Sequence, residues 1–142
     1  MTLTAQPQQR IRRPQASLWA LRIILLLHAA FVCMQPILAG YFLAGEVDAM
    51  NLHGPIGSTV WMLGFVQVII AGIYWLGGGG RIRPLLLSVV LVAAEAAQIT
   101  FGYLQNFAVH IPLGTAIVAV VIWMTIWSFR PAARRGRQEV KQ

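Results

Sequence analysis

HGPIGSTVWMLGFVQVIIAGIYWL, residues 53–76, is the stretch that decides the fold. It carries no charged side chain and exceeds the ~20 apolar residues that a helix needs to cross a bilayer. Its opening, His53-Gly54-Pro55-Ile56-Gly57, recurs as His110-Ile111-Pro112-Leu113-Gly114 at the head of a second uncharged run, HIPLGTAIVAVVIWMTIWSF, residues 110–129. Both pentapeptides read His-x-Pro-[Ile/Leu]-Gly. Working outward, further apolar runs span Leu18–Leu43 and Pro84–Leu104. The spans are therefore Leu18–Leu43, Pro55–Leu76, Pro84–Leu104 and Phe107–Phe129. The expected fold is all-α, an integral membrane four-helix bundle.

Composition agrees. Hydrophobic residues make up 58% of the 142 and charged residues 11%, which is too few charges for a soluble globular chain of one domain. The expected organisation is a flexible basic arm over residues 1–16, the bundle over 17–129 and a basic tail over 130–142.

The net charge of +7 invites a nucleic-acid reading, but the placement of the charges argues against one. Arg10, Arg12, Arg13, Arg22, Arg81, Arg83, Arg130, Arg134, Arg135, Arg137 and Lys141 all fall on one side of a four-span chain. The two loops on the other side carry Glu46 and Asp48 and no basic residue. This positive-inside pattern puts both termini in the cytoplasm, with the basic segments against anionic lipid headgroups. Cys33 is the only cysteine, so no disulfide forms within the chain, and no C-x-x-C-H site for covalent haem attachment is present.

The pentapeptides belong to a longer repeat. Arg12-Arg13-Pro14 precedes the first span and Arg83-Pro84 the third. Gln35 followed by Gly40-Tyr41 closes the first, and Gln98 followed by Gly102-Tyr103 closes the third. Two helical hairpins, residues 14–76 and 84–129, follow as parallel repeats about an axis along the membrane normal. Pro55 and Pro112 are expected in the first helical turn, where a missing N–H costs nothing, so each histidine should sit at or just before a helix start.

That geometry carries the functional reading. His53 and His110 should lie at equal depth near the outer face, aimed at one central point, as two axial ligands of a haem b iron would be. Gly57 and Gly114, one turn inward, would make room for the porphyrin. At 100° per residue, His53, Gly57, Gly64, Gln67 and Ala71 share a stripe, as do His28 and Gln35 on the first helix and Ser88, Glu95 and Gly102 on the third, with Gln98 at the margin. The interior is then small and polar, with Leu, Ile, Val and Trp turned outward. Close helix packing alone would also explain the glycines. Glu95 and His28 both fall near mid-membrane, where a charge costs roughly 2.5–3.5 kcal/mol on insertion scales. Their matched depth permits a pair across the bundle. With Gln35 and Gln98 they form a candidate proton or quinone site, or else a structural hydrogen bond locking two helices.

With His53 and His110 opening the second and fourth helices, the chain resembles one four-helix half of the haem A synthases, whose halves each hold a His pair on those helices. It also resembles a family of small bacterial four-helix membrane proteins with Leu-His at both starts; Leu52-His53 keeps that dipeptide and Val109-His110 approximates it. The resemblance implies the inner membrane of a bacterium and His53 and His110 as haem ligands. The chain departs from the synthases in having one bundle of four spans, and its short outer loops lack Arg or Lys, so synthase activity is not implied. The leading expectation is a small b-type cytochrome meeting a quinone or a membrane redox complex. The alternatives are a haem-free anchor or accessory subunit of a larger complex, and a small transporter acting as a homo-oligomer.

Overall fold

The structure, a computed structural model, describes residues 15–135. Four long helices form an all-helical bundle: α1 (Gln15–Leu43), α2 (Ala49–Leu76), α3 (Arg83–Tyr103) and α4 (Phe107–Phe129), followed by the single turn α5 (Pro131–Arg134). All but Gln15 and Ala16 of the expected arm, and residues 136–142 of the expected tail, lie outside the described residues. All four long helices are long and apolar enough to cross a membrane. A helix suits such a sequence because it satisfies its own backbone where no water can.

The side-chain distribution is inverted relative to a soluble protein. Trp19, Ile23, Ile69, Val90 and Ile111 are exposed, whereas His28, Gln67, Ser88, Glu95 and Ser128 are buried. In water this surface would be one continuous apolar patch. In lipid it is an ordinary solvent-facing side, and the polar stripes turn inward to find partners.

Each long helix packs on two neighbours in the cyclic order α1, α2, α3, α4, leaving α1/α3 and α2/α4 as diagonals across the axis. The α1–α2 and α3–α4 loops share one end, here the acidic end, and the α2–α3 loop with α5 marks the basic end. Both hairpins turn the same way at the acidic end. Glu46 N–H reaches back to Tyr41 O and Gly45 N–H to Phe42 O; Asn106 N–H reaches Phe101 O and Gln105 N–H reaches Gly102 O. The pivot is left-handed in both, Gly45 at φ 103° and Gln105 at φ 54°. Gln105 thus adopts a conformation in which glycine is the usual residue.

The repeat is visible in the packing. The register that lays Gln35 on Gln98 lays Leu21, Leu25, His28 and Val32 on Pro84, Ser88, Leu91 and Glu95, and all eight are buried. The register that lays His53 on His110 lays Val60, Gly64, Gln67 and Ala71 on Ile117, Val121, Met124 and Ser128, again all buried.

One expectation is corrected. Pro55 and Pro112 lie inside their helices and not in the first turn, because α2 begins at Ala49 and α4 at Phe107. Each proline removes one backbone bond, to the carbonyl four residues back, near an end that already carries unpaired groups. The helix therefore extends past it toward the loop, and both histidines sit within the helix. Pro36 interrupts α1 in the same way.

The basic end is tied by side chains. Tyr74 Oη donates to Ala133 O at 2.9 Å, holding α5 against α2. Gly80 is required beside it, since a Cβ there would run into the Tyr74 ring. Arg22 is buried, donates from Nε to Ser128 O at 3.0 Å and stacks on Trp19 and Phe129.

Candidate functional site

His53 and His110 face each other across the α2/α4 diagonal, near the acidic end. Their ring centroids are 6.2 Å apart, with the planes inclined at 50°. Two nitrogen–metal bonds of about 2 Å each, added to the two ring radii, span about 6 Å. The separation is compatible with a metal ion shared between the two rings.

The protonation of His110 follows from its partner. Its Nδ1 lies 2.9 Å from the Gln98 carbonyl oxygen, which can only accept, so Nδ1 carries the hydrogen. In the neutral ring, Nε2 then presents a lone pair. A backbone carbonyl fixing one ring nitrogen is the usual way a ligating histidine is oriented. The approach depends on Gly102, where an added Cβ would stand 3.0 Å from His110 Cε1.

Gln35 and Gln98 complete two matching groups. With its amide oriented to accept from Gly57 N–H at 3.0 Å, Gln35 places its nitrogen 3.2 Å from the His53 ring nitrogens. In that orientation a Cβ on Gly57 would meet the Gln35 amide nitrogen at 3.6 Å, and one on Gly114 would meet Gln98 Nε2 at 2.6 Å. Each histidine thus has a glycine one turn deeper, and a flexible glutamine side chain lies over that glycine. Gln98 Oε1 is buried without a hydrogen-bond partner.

Two imidazoles alone are a thin ligand set. Among the described residues no group of three or more His, Cys, Asp or Glu side chains comes together to hold a metal ion. A closed protein-only zinc site needs four ligands. A metal carried in a macrocycle needs only two protein ligands, and at Gly57 and Gly114 only the flexible Gln35 and Gln98 side chains stand over the backbone.

A second group lies deeper, around the α1/α3 diagonal. Ser88 Oγ donates to Pro84 O at 2.7 Å, and Gln67 Nε2 donates to Ser88 Oγ at 2.9 Å. The Gln67 oxygen, 2.8 Å from His28 Nδ1, must accept, so that nitrogen carries hydrogen too. His28 Nε2 then lies 2.9 Å from Glu95 Oε1, off the line of an ideal hydrogen bond. Glu95 Oε2 has no partner and lies 2.5 Å from where a Gly64 Cβ would be. The hydrogen-bond direction along this chain is fixed by its end, a carbonyl that only accepts.

The structure brings together His53, His110, Gln35, Gln98, Gly57 and Gly114 at the acidic end, and His28 with Glu95 below them. Sequence reasoning did not include Gln67, Ser88, Gly64 and Gly102 among the site residues. Their signal was present, since each lies on a polar stripe, but a stripe does not say which side chains touch. Cys33 is half-buried beside the apolar core. No family model, no curated protein and no solved structure matches this chain.

Proposed function

We propose that this chain is a small b-type cytochrome of the bacterial inner membrane, binding one haem b between His53 and His110 for electron transfer. The reading rests above all on the 6.2 Å separation of two repeated histidines across the bundle axis. It is supported by the fixed Nδ1–H of His110 and by the glycine one turn below each ring. His53 and His110 would hold the iron from opposite faces, Gly57 and Gly114 would flank the macrocycle, and Gln35 and Gln98 would swing aside from the glycines they now cover. Held by these two histidines, a haem would supply one-electron transfer. The charge pattern of the loops puts the termini in the cytoplasm and the histidine pair near the outer face, where a quinol or a membrane redox complex would be the electron partner.

The experiment is a reduced-minus-oxidised absorption spectrum of the purified protein beside His53→Ala and His110→Ala. The expected result is a sharp α-band in the parent that both substitutions abolish. An α-band that survives both would remove these residues as ligands.

One observation favours a haem-free anchor or accessory subunit. Gln35 and Gln98 already fill the space over the glycines, so the acidic end closes without a ligand. Under that reading both substitutions leave folding and partner binding nearly unchanged, and the parent shows no α-band.

A further inference from the structure

The chain Pro84 O, Ser88, Gln67, His28, Glu95 has a closed end and an open end. At Pro84 it stops on a carbonyl, which cannot pass a proton on. At Glu95 it stops on an oxygen with no partner, and one turn further along α3 the Gln98 oxygen is buried without a partner as well. The unpartnered Glu95 oxygen is a place for one more hydrogen.

The fixed direction limits the protons the pair can hold. His28 Nδ1 donates to Gln67, so Nε2 and Glu95 Oε1 must share one proton; without it two lone pairs would face each other at 2.9 Å. One further proton has one suitable position, Glu95 Oε2, which has no partner. The main-chain carbonyl of Gln98, one turn further along α3, accepts from His110 Nδ1. Along α3, Glu95 lies two turns from Gly102, which packs on His110, a rise of about 10 Å. In a low-dielectric interior a charge at that distance is poorly screened.

We propose that Glu95 is a redox-linked proton site, open to the acidic end only: Oε2 takes up one proton when an electron enters the His53/His110 site and releases it when the electron leaves. This rests on the haem reading above. The step balances, since one electron from a quinol-class donor and one proton from the acidic end enter together, and the buried charge is unchanged. No other titratable group among the described residues competes at the site. On α1 His28 faces Glu95, α2 presents Gly64 with Gln67 bonded to His28, and the buried residues of α4, Ile117, Val121, Met124 and Ser128, carry no titratable side chain. Arg22 lies toward the basic end with its guanidinium on Ser128 O.

The test is potentiometric titration of the haem-loaded protein across neutral pH, with Glu95→Gln alongside. The parent is expected to show one proton per electron, a tenfold change in the redox equilibrium per pH unit, or about 59 mV. The midpoint falls as pH rises, because protonation accompanies reduction. Glu95→Gln is expected to keep the α-band and lose the slope, while Glu46→Gln keeps both. A flat parent, or a slope that persists in Glu95→Gln, overturns the proposal while leaving the cytochrome reading intact. A chain that binds no haem overturns both. Should Glu95→Gln fail to fold, reduced-minus-oxidised infrared spectra decide the matter, using isotope-labelled glutamate in a chain with Glu46 and Glu139 replaced by Gln. A protonated carboxyl band appearing on reduction supports the site, and an unchanged carboxyl region overturns it.

Discussion

The two ends of the bundle treat the repeat in opposite ways. At the acidic end each residue has its own kind at the matching position of the repeat, Gln35 and Gln98, Gly57 and Gly114, and His53 and His110 come together. Deeper in, the same registers set His28 against Leu91, Gln67 against Met124, Ser88 against Leu25 and Glu95 against Val32, and all eight are buried. The difference follows from what each place can hold. A metal ion between two equal donors is served by twofold symmetry. A hydrogen-bond chain with a direction is not, because a donor must face an acceptor and identical residues about an axis cannot supply both. The polar chain therefore occupies one set of positions, and apolar side chains fill its symmetry mates.

The largest expected effect breaks the symmetric end. His53→Ala and His110→Ala should each remove haem completely and equally, as read by haem content per chain after purification. A variant that keeps half the haem would mean the two rings are not equivalent. The next effect breaks the directional chain. Glu95→Val or His28→Leu alone leaves a buried partner unmatched and should cost roughly 3–5 kcal/mol in a detergent unfolding assay. The triple change His28→Leu, Gln67→Met, Glu95→Val gives three deep positions the residues of their symmetry mates with little change in total volume, and leaves Ser88 bonded to Pro84 O. It should cost far less than the sum of its parts, the mark of coupled residues. Additive costs would show that the chain is not one unit.

Gly64→Ala sharpens the same contrast at a smaller scale. Its Cβ would meet Glu95 Oε2 at 2.5 Å and Val92 Cγ2 at 3.0 Å, and overpacking of this kind costs typically 1–3 kcal/mol. The cost should shrink when Glu95 is already Val. Smallest of all, Thr115→Ala removes a hydroxyl that bonds only to its own helix at Ile111 O on an exposed face, and should change stability by less than about 0.5 kcal/mol. A large loss there would put the exposed face of α4 under some constraint beyond lipid contact.

Much of this was legible in the residues. Apolar run length marked all four helices to within a few residues of their ends, except where α2 runs several residues past the proline expected to open it. Equal depth in parallel repeats foretold that His53 would meet His110, and that His28 could reach Glu95, now 2.9 Å apart. The start of α2 was less legible than that of α4, read at Phe107, because a proline near a helix end looks the same whether it opens the helix or follows the first turns. Gln67 and Ser88 were on the right faces, yet the link from His28 to Pro84 needs side-chain directions that spacing does not encode. Gly102 was read as packing, and its closeness to the His110 ring depends on the crossing of α3 and α4. Arg22 was placed by charge at the basic side, but its burial against Trp19 and Phe129 is a matter of local packing.

The most direct measurement is a pyridine haemochrome determination on the purified wild-type protein after expression with ample haem. The account predicts about one haem b per chain, with both axial positions taken by nitrogen. Protein that is folded and monodisperse yet free of haem would contradict it, and the paired histidines would then be a packing feature of an accessory subunit.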